Sequence, residues 1–152
     1  MRAPATVRAG LILLAITDVA QGFWQYFLPR SFYEHVPTVA LNPPFSAHLM
    51  TDVGGLNLAM AVVLGASAII MERHLVITAL TAYLVYAVSH LLFHVTHLTG
   101  FTAADMALTT TGLGVLAAAP AALLVAAVWK PAPRPEGSGR RPSSAPGGAG
   151  LR

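Results

Sequence analysis

The sequence predicts an all-α integral membrane protein, a four-helix up-down bundle followed by a disordered C-terminal tail. Three observations carry that expectation. Of the 152 residues, 55% are hydrophobic and only 10% charged, against about 25% charged in soluble domains, and the mean hydropathy is +0.65. Four stretches reach the roughly 20 mostly apolar residues that cross a hydrocarbon core of about 30 Å. The segment 131–152 is rich in Pro, Gly and Ser and has almost nothing to bury, the composition of a chain that does not fold.

The first predicted span covers about residues 9–28. Arg2 and Arg8 ahead of the run from Leu11 to Ile16 imitate a secretory signal, but the apolar character continues through Phe23, Trp24 and Phe27 with no small-residue cleavage site behind it, so the segment reads as a span. Pro29, Pro37, Pro43 and Pro44 keep residues 29–45 from continuing either flanking helix, since proline lacks the donor and restricts its predecessor. A loop is expected there. The second span takes about 46–71, Glu72, Arg73 and His74 form a turn, and the third takes about 75–98. After a turn at Thr99, Gly100 and Phe101, the fourth takes about 103–129. Thr102 and Asp105 have the spacing of a capping box at its start, with the acid replacing the usual Glu or Gln. The chain thus divides into a bundle over 1–130 and a tail over 131–152, with no internal repeat.

Charge sets the expected orientation. Arg2, Arg8, Arg73, Lys130, Arg134, Arg140, Arg141 and Arg152 fall on one side of the membrane and only Arg30 on the other. By the positive-inside rule both termini of this multi-pass protein are expected to be cytoplasmic, with the 29–45 segment and the Thr99 turn outside. Trp24, Tyr26, Phe32 and Tyr33 then mark an outer aromatic belt and Trp129 an inner one. The pI near 9.8 is no nucleic-acid footprint, because five of the nine basic residues lie from Lys130 onward, outside the hydrophobic body. Absent cysteine excludes disulfides, thiolate metal sites and CxxC redox chemistry. Expected partners are the lipid bilayer, a metal ion or small lipophilic ligand, and a membrane-protein partner or second copy.

Ionisable residues inside a bilayer cost from about 2.5 kcal/mol upward and usually face the bundle interior. His90, His94 and His97 are spaced i, i+4, i+7 on the third span, with Tyr83 and Tyr86 extending the stripe. His48, Asp52 and Gly55 share a face of the second span; Asp18, Gln21 and Gln25 share one of the first; Asp105, Thr109 and Gly112 share one of the fourth. With the expected orientation these stripes meet in the outer half, while the inner half is Ala, Val, Leu, Ile and Gly. No Lys or Arg lies in the core of a span, so Asp18 and Asp52 need a proton, a histidinium or a bound cation.

The leading expectation is therefore a His- and Asp-lined site of His48, Asp52, His90, His94 and His97, supported by Asp18, Gln21, Tyr83, Tyr86 and Asp105. Imidazoles beside carboxylates without thiolates suit Zn, Cu, Fe or Mn. A b-type haem between His48 and His90 or His94 is a weaker alternative, its pocket not written in the sequence. Two other readings stand beside the metal site: a non-catalytic structural or accessory subunit whose polar layer sets helix packing, and a membrane oxidoreductase or binder of a small lipophilic ligand. Whether the chain is an enzyme stays open. Capping alone accounts for Asp105, and His35 and His74 read as interfacial. The spacing of His90, His94 and His97 resembles one box of the membrane desaturases and hydroxylases, whose di-iron centres draw on several such boxes; six histidines in the whole chain are too few.

The stretches HLMTDVGGLNLAMAVVL, from His48, and YLVYAVSHLLFHVTHLTG, from Tyr83, resemble a group of small bacterial four-span membrane proteins, DoxX-like in size and layout. The resemblance covers roughly residues 9–128 and excludes the tail. It implies the architecture and a bacterial plasma-membrane location, and brings no activity or catalytic residue.

Overall fold

The computed structural model describes residues 5–41 and 44–128. Arg2, Pro43, Trp129, Lys130 and the segment 131–152, with the expectations of an inner belt and a disordered tail, lie outside them. The elements are α1 (Ala5–Phe27), α2 (Pro29–His35), a 3-10 turn (Val39–Leu41), α3 (Ala47–Ile70), α4 (Arg73–Thr96) and α5 (Ala103–Val128). Among the described residues there is no strand.

Helices α1, α3, α4 and α5 have 23 to 26 residues and are long and apolar enough to cross a membrane; at 1.5 Å per residue they reach about 35 to 39 Å. Large apolar side chains point outward, among them Leu13, Leu56, Val62, Ile69, Val85 and Val115, whereas Ala15, Ala61, Ala68, Ala79, Ala87 and Ala117 are buried. That inverts a water-soluble bundle and matches helices that pack through small residues with lipid as their solvent. The protein is a multi-pass membrane protein.

Sequence neighbours pair: α1 runs along α3 and α4 along α5, with α3 beside α4 and α1 beside α5 closing the ring. Helices α1 and α4 thus face each other across the centre. Gly22 and Gly54 set the α1–α3 approach, because a Cβ on Gly54 would lie 2.6 Å from the Tyr26 nitrogen and 2.9 Å from the Gly22 carbonyl oxygen. Gly10 receives the methyls of Leu123 in the same way between α1 and α5. The core away from the lid described below is apolar, built on Val7, Leu11, Leu14, Leu64, Val76 and Leu80.

The connections differ from expectation in two places. Pro29 ends α1 but opens α2, where its missing N–H is one that a first helical turn leaves unbonded anyway. Residues 29–41, with 44 and 45, form a lid instead of an open loop. The Trp24 indole N–H donates to the Ser31 hydroxyl at 3.2 Å, its ring meets Phe32 edge-on at 5.5 Å, and the Arg30 guanidinium lies 4.7 Å over Phe45. The Thr109 hydroxyl donates to that of Thr38 at 3.0 Å, tying the lid to α5 where Thr38 adopts φ +69°, a conformation unusual for a β-branched residue. The second turn shrinks to Met71, left-handed at φ +54°, and Glu72, whose carboxylate caps α4 by accepting the Leu75 N–H at 2.8 Å. Arg73 and His74 belong to the helix. The third turn follows expectation: the Thr102 N–H donates to Asp105 Oδ2 at 3.0 Å and the Asp105 N–H to the Thr102 hydroxyl at 3.2 Å.

Candidate functional site

Mid-span polar residues have no water to turn toward, so they face inward. Asp18 of α1 and Tyr83 of α4 do so, 3% and 1% exposed, and the Tyr83 hydroxyl donates to Asp18 Oδ1 at 3.3 Å across the bundle centre. From Tyr83 a ladder of rings climbs α4 at helical spacing. Tyr83 and Tyr86 have centroids 6.2 Å apart, Tyr86 stacks on His90 at 5.6 Å and 16°, and His90 meets His94 edge-on at 4.7 Å. Eleven residues of rise carry it about 16 Å toward the lid end. Each end carries a buried polar atom without a hydrogen-bond partner, Asp18 Oδ2 at the foot and His94 Nδ1 at the top. Native structures leave few such atoms unmatched by water, ion or ligand.

The other expected members do not join. Helix α4 stops at Thr96, and His97, its C-cap at φ −128° and ψ 57°, leaves the helical stripe; its ring stacks on Phe93 at 4.3 Å, while it stays near enough to His94 to interact with it electrostatically. His48 and Asp52 pair with each other at 3.4 Å on an open face, their side chains 88% and 58% exposed. Asp105 is held by Thr102 in the cap. Gln21 is half-buried and makes none of these contacts. Among the described residues no three of His, Asp and Glu stand where they would hold a metal ion. The predicted convergence of four stripes thus reduces to a ladder from α1 and α4.

On α3 the expected face of His48, Asp52 and Gly55 was two residues out of register, nearly opposite the one that faces inward. Gly54, not Gly55, makes the close approach; a Cβ on Gly55 would meet only the Tyr26 ring at 3.8 Å. The inward stripe is Met50, Gly54, Asn57, Ala61 and Leu64. Asn57, which the sequence reading passed over, donates from Nδ2 to Gln25 Oε1 at 2.8 Å in the buried α1–α3 interface. A lone carboxamide three residues beyond a glycine was the signal.

At the opposite end, outside the spans, the Leu75 amide first, then the His74 amide and ring, hold the Glu72 carboxyl below its ordinary range. Arg8 Nε donates to the Ala68 carbonyl at 2.9 Å, bracing the last turns of α3. No protein-family model matches the chain, and neither the curated proteins nor the solved structures contain a match to it.

Proposed function

We propose that this membrane protein takes up a proton at Asp18, midway through the bilayer, and that the proton arrives from the lid side by way of His94, His90, Tyr86 and Tyr83. The observation that carries the reading is Asp18 itself, buried at mid-span with one oxygen bonded by Tyr83 and the other unmatched. A carboxyl group there, with no counter-ion, is neutralised by a proton or a bound cation. Phenols and imidazoles both donate and accept hydrogen bonds. Water bridges the steps that the rings do not make directly. Beyond Asp18 the core is mainly apolar, with Ser67 its buried polar exception among the described residues, which supports a path that loads one site. The basic-residue asymmetry supports a plasma-membrane protein with cytoplasmic termini and the lid outside.

The structural reading fits the α1–α3 seam, where Gly22, Gly54 and the Gln25–Asn57 bond set the pairing, but leaves the unmatched Oδ2 of Asp18 without an explanation. Infrared difference spectra of the protein in sealed vesicles test the proposal. A protonated-carboxyl band that responds to acid on the lid side, vanishes in Asp18→Asn and forms more than about tenfold more slowly in His94→Leu is expected. An unchanged spectrum in Asp18→Asn, or equal response from both sides, overturns it.

One observation favours a second reading: the open Nδ1 of His94 beside His90 suits a Zn, Cu, Fe or Mn ion held by two imidazoles, with water or a second copy completing the shell. Elemental analysis and the visible spectrum of purified protein decide it; metal-free protein after supplementation ends that reading. Haem has less support, since His48 lies on the exposed face with Asp52.

A further inference from the structure

An open groove of about 410 Å³ runs between α1 and α3, lined by Ala15, Ile16, Val19, Ala20, Ala61 and Gly65. It faces the lipid and shares nothing with the Asp18 ladder. Arg8 precedes Ala15 by seven residues, two helical turns, and so lies on the same side of α1 about 10 Å nearer the membrane surface. Its Nε is tied to the Ala68 carbonyl, one turn beyond Gly65 on α3. Among the described residues its terminal nitrogens have no other partner. The guanidinium is thus held in one orientation with its remaining donors open.

We infer that this groove seats an acyl chain of an anionic phospholipid from the leaflet on the N-terminal side, with the lipid phosphate on the Arg8 guanidinium. From Arg8 to Ala20 is about 18 Å of helix, close to the depth of one leaflet of a roughly 30 Å core. Guanidinium and phosphate match in charge and in bidentate geometry, and basic groups between helices at a membrane surface are where lipid headgroups bind. A side chain tethered beforehand loses less rotamer freedom on binding. A second copy fits the groove less well, because a two-fold axis along the membrane normal would bring its Arg8 to the same depth as this one and oppose like charges.

Native mass spectrometry of the full-length protein, titrated separately with dioleoylphosphatidylglycerol and dioleoylphosphatidylcholine, tests this. The anionic lipid is expected to bind about fivefold more tightly, and Arg8→Gln to remove that preference. Gly65→Leu, whose Cβ enters open space, is expected to weaken both lipids by filling the groove while leaving the helical circular dichroism unchanged. It decides the matter should Arg8→Gln fail to fold. Inorganic phosphate is expected not to displace the lipid. Equal binding of the two lipids, displacement by phosphate alone, unaltered binding in Gly65→Leu, or a dimer that Gly65→Leu dissociates would each overturn the assignment.

Discussion

Single atoms decide most of what Asp18 does. Tyr83 is its one donor among the described residues, so Tyr83→Phe leaves both carboxyl oxygens buried and unmatched, and a loss of about 1–3 kcal/mol is expected from reversible unfolding in mixed micelles. Asp18→Asn keeps an acceptor for the same hydroxyl and is expected to unfold within about 1 kcal/mol of the parent, while losing the carboxyl band. A comparable loss in both variants would show that shape, not hydrogen bonding, governs the centre. Glu72 gives a pH test outside the spans. Its folded-state carboxyl lies below its ordinary value, so its contribution is in force above the unfolded pKa and disappears as pH falls through the folded one. Acid is therefore expected to loosen the start of α4, and Glu72→Gln to flatten that part of the stability-versus-pH curve.

At the level of helices, the two adjacent glycines of α3 give a sharp contrast. Gly54→Ala drives a methyl into the backbone of α1 and is expected to cost about 1–3 kcal/mol as overpacking, whereas Gly55→Ala meets only ordinary contact and is expected to be near neutral or slightly stabilising. Equal effects would contradict the observed register. The same pair shows what was legible in advance. Hydropathy placed the four spans well, and Asp18, Gln25 and Tyr83 lie buried, because hydrocarbon leaves such groups no outward option. His48 and Asp52 misled: they lie within the first two turns of α3, where headgroups and water solvate them, and an inward reading of them rotated the whole face by two residues. His97 misled because regular spacing was extrapolated past the last helical residue. Helix α2 was hidden because Pro29 was read as a breaker, when the first turn of a helix also accepts proline. Arg8 and Asn57 carried no motif.

Considered whole, the molecule is two helical hairpins, α1 with α3 and α4 with α5, linked along the chain by Met71 and Glu72. The first hairpin completes its own glycine contact and its Gln25–Asn57 bond, but the Asp18–Tyr83 bond spans the two. During synthesis, then, a finished first hairpin displays an unmet acid at mid-membrane until the second arrives. An unmet acid at that depth is costly, so the unassembled hairpin is expected to be short-lived until the second covers it. A chain ending at Met71 is expected to turn over several times faster in pulse-chase labelling than the full chain, and to gain lifetime either from Asp18→Leu or from co-expressed residues 72–152. No gain from either would mean that protease surveillance reads something else.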